Sequence, residues 1–211
     1  MARITSTAQL RAIIPQPRAA TRAKVLDALD EQAVEFLRAS PFALMATSGA
    51  DGALEVSPKG DLPGFATIES PRSLLLPERA GNNLAFGLSN IVANGRIGLI
   101  FLRPATGETL RIGGRAEIFD DADLLERLGT AGKPALLAIR VQVERCYFHC
   151  ARSVLRSRLW DSAAWTPAQR VSFGRIIAPR VAEAGGASAA MAREIDARVE
   201  GAYAERLWSN D

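Results

Sequence analysis

The chain has 211 residues, 48% apolar and 23% charged, with a formal net charge of +3. That length holds one core, or one core with an appendage, at ordinary globular composition. Nothing approaches the roughly 20 consecutive apolar residues of a membrane span. Lys and Arg lie among Asp and Glu throughout, not in the basic patch of a nucleic-acid binder, and Cys146 and Cys150 are too few for a disulfide framework.

The opening MARITSTAQLRAIIPQPRAATR has no apolar run of signal-peptide length, so a cytoplasmic protein with reduced thiols is expected. Residues 1–40 read as peripheral helices over Thr7–Ile14, Ala19–Ala28 and Asp30–Ala39, the last with Ala33, Val34, Phe36 and Leu37 as a buried stripe. From Pro41 the pattern changes to strands. Phe42–Thr47 and Ala53–Ser57 form a hairpin around the turn residues Ser48–Gly52, and Pro58–Gly64 follows as a Pro- and Gly-rich loop carrying Lys59. Phe65–Ile68 and Ser73–Leu76 are two further strands. Asn83–Ala93 is predicted to be a helix with Leu84, Leu88, Ile91 and Val92 on its buried face, capped by Asn82 or Asn83 and stopped at Asn94-Gly95.

Arg96–Leu102 reads as an apolar strand buried on both faces. In Thr109–Ile118, Leu110, Ile112, Gly114, Ala116 and Ile118 share one face, with Arg111 and Arg115 on the other. A helix over Asp121–Leu128 precedes Leu137–Phe148, in which Ile139, Val141, Val143 and Tyr147 face one way. Six or seven strands with one short interposed helix predict a closed or nearly closed antiparallel barrel, not a parallel α/β sheet. The tail is helical, most clearly over Ala187–Leu207, where Met191, Ile195, Val199, Ala202 and Tyr203 form a stripe that would cap the barrel or meet a second subunit.

Several chemistries lack their residues. His149 is the only histidine, so a His-rich metal site is excluded. Cys146, His149 and Cys150 are three possible ligands at a strand end with no second cluster, and zinc takes four. There is no Walker-type phosphate loop, no G-x-G-x-x-G and no G-x-S-x-G elbow. What remains is an anion-site composition in Glu78–Asn83. Backbone N–H groups at a helix start favour negative charge, Gly81 allows close approach, Arg79 offers a planar fork, and Asn82 and Asn83 offer amide donors. Lys59 would join them if its strand neighbours Ser73–Pro77. Helix capping beside a solvated arginine accounts for these residues equally well.

Together VSPKGD (Val56–Asp61), LLLPERAGNN (Leu74–Asn83), NIVANGRIGLIFL (Asn90–Leu102) and GETLRIGGRAEI (Gly107–Ile118) resemble the FMN-binding split barrel of the pyridoxamine 5′-phosphate oxidase-like superfamily. CYFHCARSVLRSRLW (Cys146–Trp160) is similar to an uncharacterised subgroup of it. The resemblance implies a mainly β (α+β) fold: an antiparallel split β-barrel of six to seven strands over residues 41–160, with N-terminal helices before it and a C-terminal helical extension over 161–211. It implies a homodimer with FMN at the subunit interface and a small-molecule substrate or electron donor. Lys59, Arg79, Gly81, Asn82 and Asn83 would hold the phosphate and ribityl chain. Val56, Ser57 and Pro58 would line the isoalloxazine ring, and Ser157 and Trp160, within Arg156–Trp160, would approach from the partner chain. Trp160 serves equally well as a core residue. The best-known members carry a Ser-Arg-Lys type triplet where this chain has Gly81-Asn82-Asn83, and their C-terminal Arg and His pattern does not recur in Arg158–Arg170. The implied activity is therefore an FMN oxidoreductase working at flavin N5, substrate unassigned. The alternatives are a flavin carrier or sensor without turnover, or a barrel using deazaflavin or haem.

Overall fold

The computed structural model of the chain describes residues 2–182 and 188–208. Three short helices come first: α1 (Thr7–Ile13), α2 (Ala19–Ala23) and α3 (Glu31–Ala39). Asp30 caps α3 by accepting the Ala33 N–H at 2.8 Å, and the helix buries Ala33, Phe36 and Leu37. The helix predicted over Ala19–Ala28 stops at Ala23. Beyond it, Leu26 exchanges backbone hydrogen bonds with Cys146, which helical dihedrals would forbid.

Seven strands follow: β1 (Phe42–Ser48), β2 (Leu54–Gly60), β3 (Thr67–Ser70), β4 (Ser73–Glu78), β5 (Arg96–Leu102), β6 (Thr109–Phe119) and β7 (Leu137–His149). They form one sheet in the order β2-β1-β5-β6-β7-β4-β3, antiparallel throughout. Lys59 on β2 nevertheless meets Glu78 on β4 at 2.5 Å, with four strands between them in the sheet order. The sheet therefore curls until its two ends face each other, yet no ladder joins them. This is the expected split barrel.

Its interior holds Ala43, Met45, Leu99, Phe101, Leu110, Ile112, Ile139, Val141 and Val143, closed from outside by Phe36 and Leu37 of α3. β4 is buried on both faces, which explains its unbroken apolar run. Leu74 and Leu76 enter the barrel, while Leu75 packs with Leu124 and Leu128 around α5 (Ala122–Arg127). β5 alternates instead of being buried on both sides: Ile97, Leu99 and Phe101 are inside, and Gly98, Ile100 and Leu102 are half-exposed. β2 extends to Gly60, taking in three residues predicted as loop.

One irregularity shifts the phase of β7. Gly113 pairs with Arg145 and Gly114 with Val143, leaving Glu144 as an extra residue. Val143 and Cys146 are both buried as a result, and Tyr147, expected inside, lies on the outer face. The crossing needs glycine at 114, because a Cβ there would sit 1.9 Å from the Gln142 carbonyl oxygen.

The tail contains α6 (Arg152–Ser157), α7 (Phe173–Val181) and α8 (Ala189–Glu205). The predicted start of the last helix, Ala187, lies outside the described residues. α8 packs on α7, where a Cβ at Gly174 would sit 1.9 Å from the Ala192 carbonyl oxygen. Asp196 accepts hydrogen bonds from the Ser172 hydroxyl at 2.6 Å and the Gly174 N–H at 2.7 Å. No described helix is long and apolar enough to cross a membrane. Gly114→Ala is expected to cost about 2–3 kcal/mol, the scale of overpacking, whereas Gly113→Ala, whose nearest contact is an arginine nitrogen at 3.4 Å, stays near wild type. Urea denaturation of the two variants checks the contrast.

Candidate functional site

The split in the barrel is bridged by charge. Lys59 Nζ meets Glu78 Oε2 at 2.5 Å, with side chains only 13% and 14% exposed. Immediately after β2 and β4, Arg79 meets Asp61, with Nε at 2.8 Å and Nη2 at 2.7 Å from Oδ2. Arg79 Nη2 also donates to the Leu128 carbonyl at 2.7 Å. Its Nη1 is buried and has no hydrogen-bond partner. Alternation along β2 turns Glu55, Ser57 and Lys59 toward this opening and leaves Leu54, Val56 and Pro58 outside.

A cavity of about 350 Å³ opens here, and Ser57, Lys59, Arg79, Gly81, Asn82 and Asn83 all line it. Six of the ten residues predicted to contact the cofactor are thus brought together. Pro58 lines an adjoining cavity of about 550 Å³, which shares Lys59, Glu78, Arg79 and Gly81 with the first and is walled by Leu207 and Trp208. Val56 is 58% exposed on the outer side of β2. Ser157 and Trp160 line neither cavity: Ser157 donates to the Val154 carbonyl and Trp160 Nε1 to the Thr106 carbonyl.

The wall after Arg79 differs from expectation. The helix α4 runs Phe86–Asn94, beginning three residues late. Asn82 is not its cap; its side-chain oxygen accepts the Leu84 N–H at 3.1 Å, a local turn that competes with helix. Asn83 and Ala85 then take left-handed backbone, at φ 59 and φ 51. Such conformations are costly for alanine and concentrate at sites where geometry is functional. The free N–H groups at the helix start are therefore those around Phe86–Leu88, and Ala85–Leu88 line the cavity. Gly87 and Ile91 form the buried face, while Leu84 and Val92 are 56% and 79% exposed. A Cβ on Gly87 would meet the Met45 methyl at 3.3 Å and the Thr47 hydroxyl at 3.5 Å. Asn90 Nδ2 donates to that hydroxyl, and Asn94 Nδ2 to the Ser48 carbonyl, fastening α4 to β1.

A profile of the family described as pyridoxamine 5′-phosphate oxidase matches residues 29–150, more than half of the chain. The chain belongs to the pyridoxamine 5′-phosphate oxidase family. Among curated proteins no match was found. Similar solved structures include HupZ of Group A Streptococcus, at 18% identity over 57% of this chain and 93% of that one, TM-score 0.46. Another is a Clostridium acetobutylicum protein related to general stress protein 26, at 19% identity over 58% and 91%, TM-score 0.42. A third is an FMN-binding protein of Syntrophomonas wolfei, at 8% identity over 56% and 87%, TM-score 0.42.

In this member of the pyridoxamine 5′-phosphate oxidase family, sequence reasoning missed Asp61 and Glu78. The signal was present: each cation of the pair Lys59 and Arg79 has an acid within two positions, as strand ends that must be neutralised across a gap require. It also missed Trp208. At the other end of β7 the three candidate metal ligands diverge. Cys146 points into the barrel, where burial, with Asp30 adding a smaller push, drives its thiol up to about 11. Cys150 is exposed, and hydrogen bonds from the Arg152 backbone and side chain lower its pKa. Among the described residues no three His, Cys, Asp or Glu side chains gather around a common point. Asp61→Asn, which strands the Arg79 charge, is expected to cost about 3 kcal/mol in urea denaturation; a loss below about 1 kcal/mol would mean the pair is not structural.

Proposed function

We propose that the chain is an FMN-binding oxidoreductase that works as a homodimer in the cytoplasm, with its flavin in the Ser57–Lys59–Arg79 cavity. The observation that carries this reading is Arg79, whose Nη1 is buried without a hydrogen-bond partner and which lines the cavity together with Ser57, Asn82 and Asn83, in a chain of this family. A donor left without an acceptor is costly, and a phosphate oxygen is a fitting acceptor. Gly81, with no atom within 4 Å of where a Cβ would stand, leaves the backbone open to a ligand. The residues present therefore fit the group.

Arg79 Nη1 and the amides of Asn82 and Asn83 would hold the phosphate and ribityl oxygens, and Ser57 would hydrogen-bond further along the cavity. Lys59 and the rest of Arg79 are matched by Glu78 and Asp61, so they orient the wall and contribute little net positive charge. When bound, FMN supplies hydride or electron transfer at N5. Met45, Leu88 and Leu136 line the cavity and would supply apolar wall that keeps water from the ring.

The dimer reading rests on the outer face of β2, β1 and β5. Leu54, Val56 and Pro58 lie outward on β2, and the register sets them against Ser48, Ala46 and Leu44 of β1, which in turn neighbour Gly98 and Ile100 of β5. Leu54 is 79% exposed. An exposed apolar sheet face is the kind of surface that a partner covers, which supports the dimer reading. Val56→Asp is expected to yield monomer in light scattering; a dimer unaffected by the charge would place the interface elsewhere.

Asn82→Ala, an exposed change that leaves both ion pairs intact, should weaken FMN binding by about 1–3 kcal/mol, the range of a hydrogen bond to a charged group. Flavin-fluorescence titration measures it. Wild-type protein that takes up no FMN would overturn the reading outright, and an unchanged affinity in Asn82→Ala would overturn the phosphate assignment. Bleaching of the bound flavin by NADH or NADPH separates a reductase from a carrier.

A further inference from the structure

The outer face of β6 and β7 gathers cations that form no ion pair with a described carboxylate. Arg111 is paired with Tyr147, Thr109 with His149 and Gly113 with Arg145, so Arg111, Arg145, Tyr147 and His149 share that face. Lys24, at the end of α2, sets its ammonium 6.0 Å from the centre of the Tyr147 ring. The Arg145 guanidinium lies over Gly113, 3.4 Å from where a Cβ would stand. Arg152 begins α6 just beyond the strand.

None of Lys24, Arg111, Arg145, His149 or Arg152 forms an ion pair with a described carboxylate. By contrast Arg72, Arg96, Arg140 and Arg158 each meet one. Arg111 is half-buried, and its Nε is shielded from solvent with no hydrogen-bond partner. Like charges held together around a buried, unmatched donor are unfavourable unless an anion completes them. Burial first, then the charges of Arg111, Lys24 and Arg152, hold the His149 pKa below its ordinary value.

We propose that Arg111, Arg152, Lys24 and His149 form a binding site for a phosphate-class oxyanion on the outer face of the barrel. Planar guanidinium forks suit a tetrahedral anion, which Arg152 would meet beside the Cys150 thiol it already hydrogen-bonds, and the Lys24 ammonium adds a point charge. The anion is either free phosphate or the phosphoryl group of a larger ligand. The second source has a structural route: Pro58, Leu44, Ile100, Arg111 and Tyr147 are successive cross-strand neighbours, so the apolar face runs directly into the cations.

His149 is the only histidine in the chain, so its NMR titration reports the site without ambiguity. Inorganic phosphate should raise the His149 titration midpoint saturably, while chloride at equal ionic strength should not. Arg111→Gln should start with a higher midpoint and lose the response. Arg152→Gln, at a helix start outside the sheet, repeats the test with the sheet untouched and should weaken phosphate about tenfold, one charge-assisted hydrogen bond. FMN moving the midpoint where inorganic phosphate and riboflavin do not would assign the anion to the flavin phosphoryl group. Inorganic phosphate acting by itself would assign a free anion, and would do so even if the protein bound no flavin. A midpoint unmoved by phosphate and FMN, or moved equally by chloride, would overturn the site.

Discussion

The double ion pair across the barrel split, Lys59 with Glu78 and Arg79 with Asp61, is the constraint on which the rest of the site depends. Its members stand at or just beyond the ends of β2 and β4, which have four strands between them in the sheet order. No backbone ladder joins those strands, so side-chain charge sets their approach. Four charges withdrawn from water are expensive, and the attraction repays the cost only with good geometry and further hydrogen bonds. Arg79 meets that requirement with three described contacts, two to Asp61 and one to the Leu128 carbonyl. One guanidinium nitrogen remains buried without an acceptor, on a residue that lines the cavity. The closure of the barrel and the affinity proposed for FMN thus share one arginine.

This arrangement changes the electrostatics of the proposed flavin site. Two cations facing a phosphate would act mainly through net charge, with strong salt dependence. Here Glu78 and Asp61 cancel that charge locally, so in the proposed site recognition would fall to directional donors: Arg79 Nη1, the asparagine amides and the helix start at Phe86–Leu88. Directional donors favour a ligand of fixed shape over anions in general. The left-handed residues Asn83 and Ala85 agree with this, since they hold the loop open in a backbone state that alanine does not choose unaided.

Much of the barrel is legible in the sequence because a half-buried strand writes its burial every second residue. β5 matches its sequence-predicted span to the residue, and β6 and β7 match theirs to within one residue at each end. The inward set of β6, Leu110 through Ala116, is also as expected. The departures are set by long-range contact or by local side-chain competition. Alternation alone puts Tyr147 inside, because nothing in the sequence marks Glu144 as a bulge; the pairing of Gly113 and Gly114 produces it. Asparagine is a good cap, which favours a helix start at Asn83, yet Asn82 uses its oxygen in a turn of its own. The site residues near Lys59 and Arg79 are legible as donors, but their acids are not, because pairing across the split is invisible along the chain. Charge behaves similarly. The sequence shows acids and bases evenly mixed, while the fold separates them and leaves Arg111, Arg145 and Arg152 without described acidic partners on one face.

The central claim is that the cavity beside Arg79 is where the flavin binds. A crystal structure of the protein grown with FMN tests it most directly. The account predicts a phosphate oxygen within hydrogen-bond distance of Arg79 Nη1 and of the Asn82 or Asn83 amide, with the Lys59–Glu78 and Arg79–Asp61 pairs intact. Flavin density elsewhere on the chain, or a phosphate that displaces Asp61 from Arg79, would contradict it.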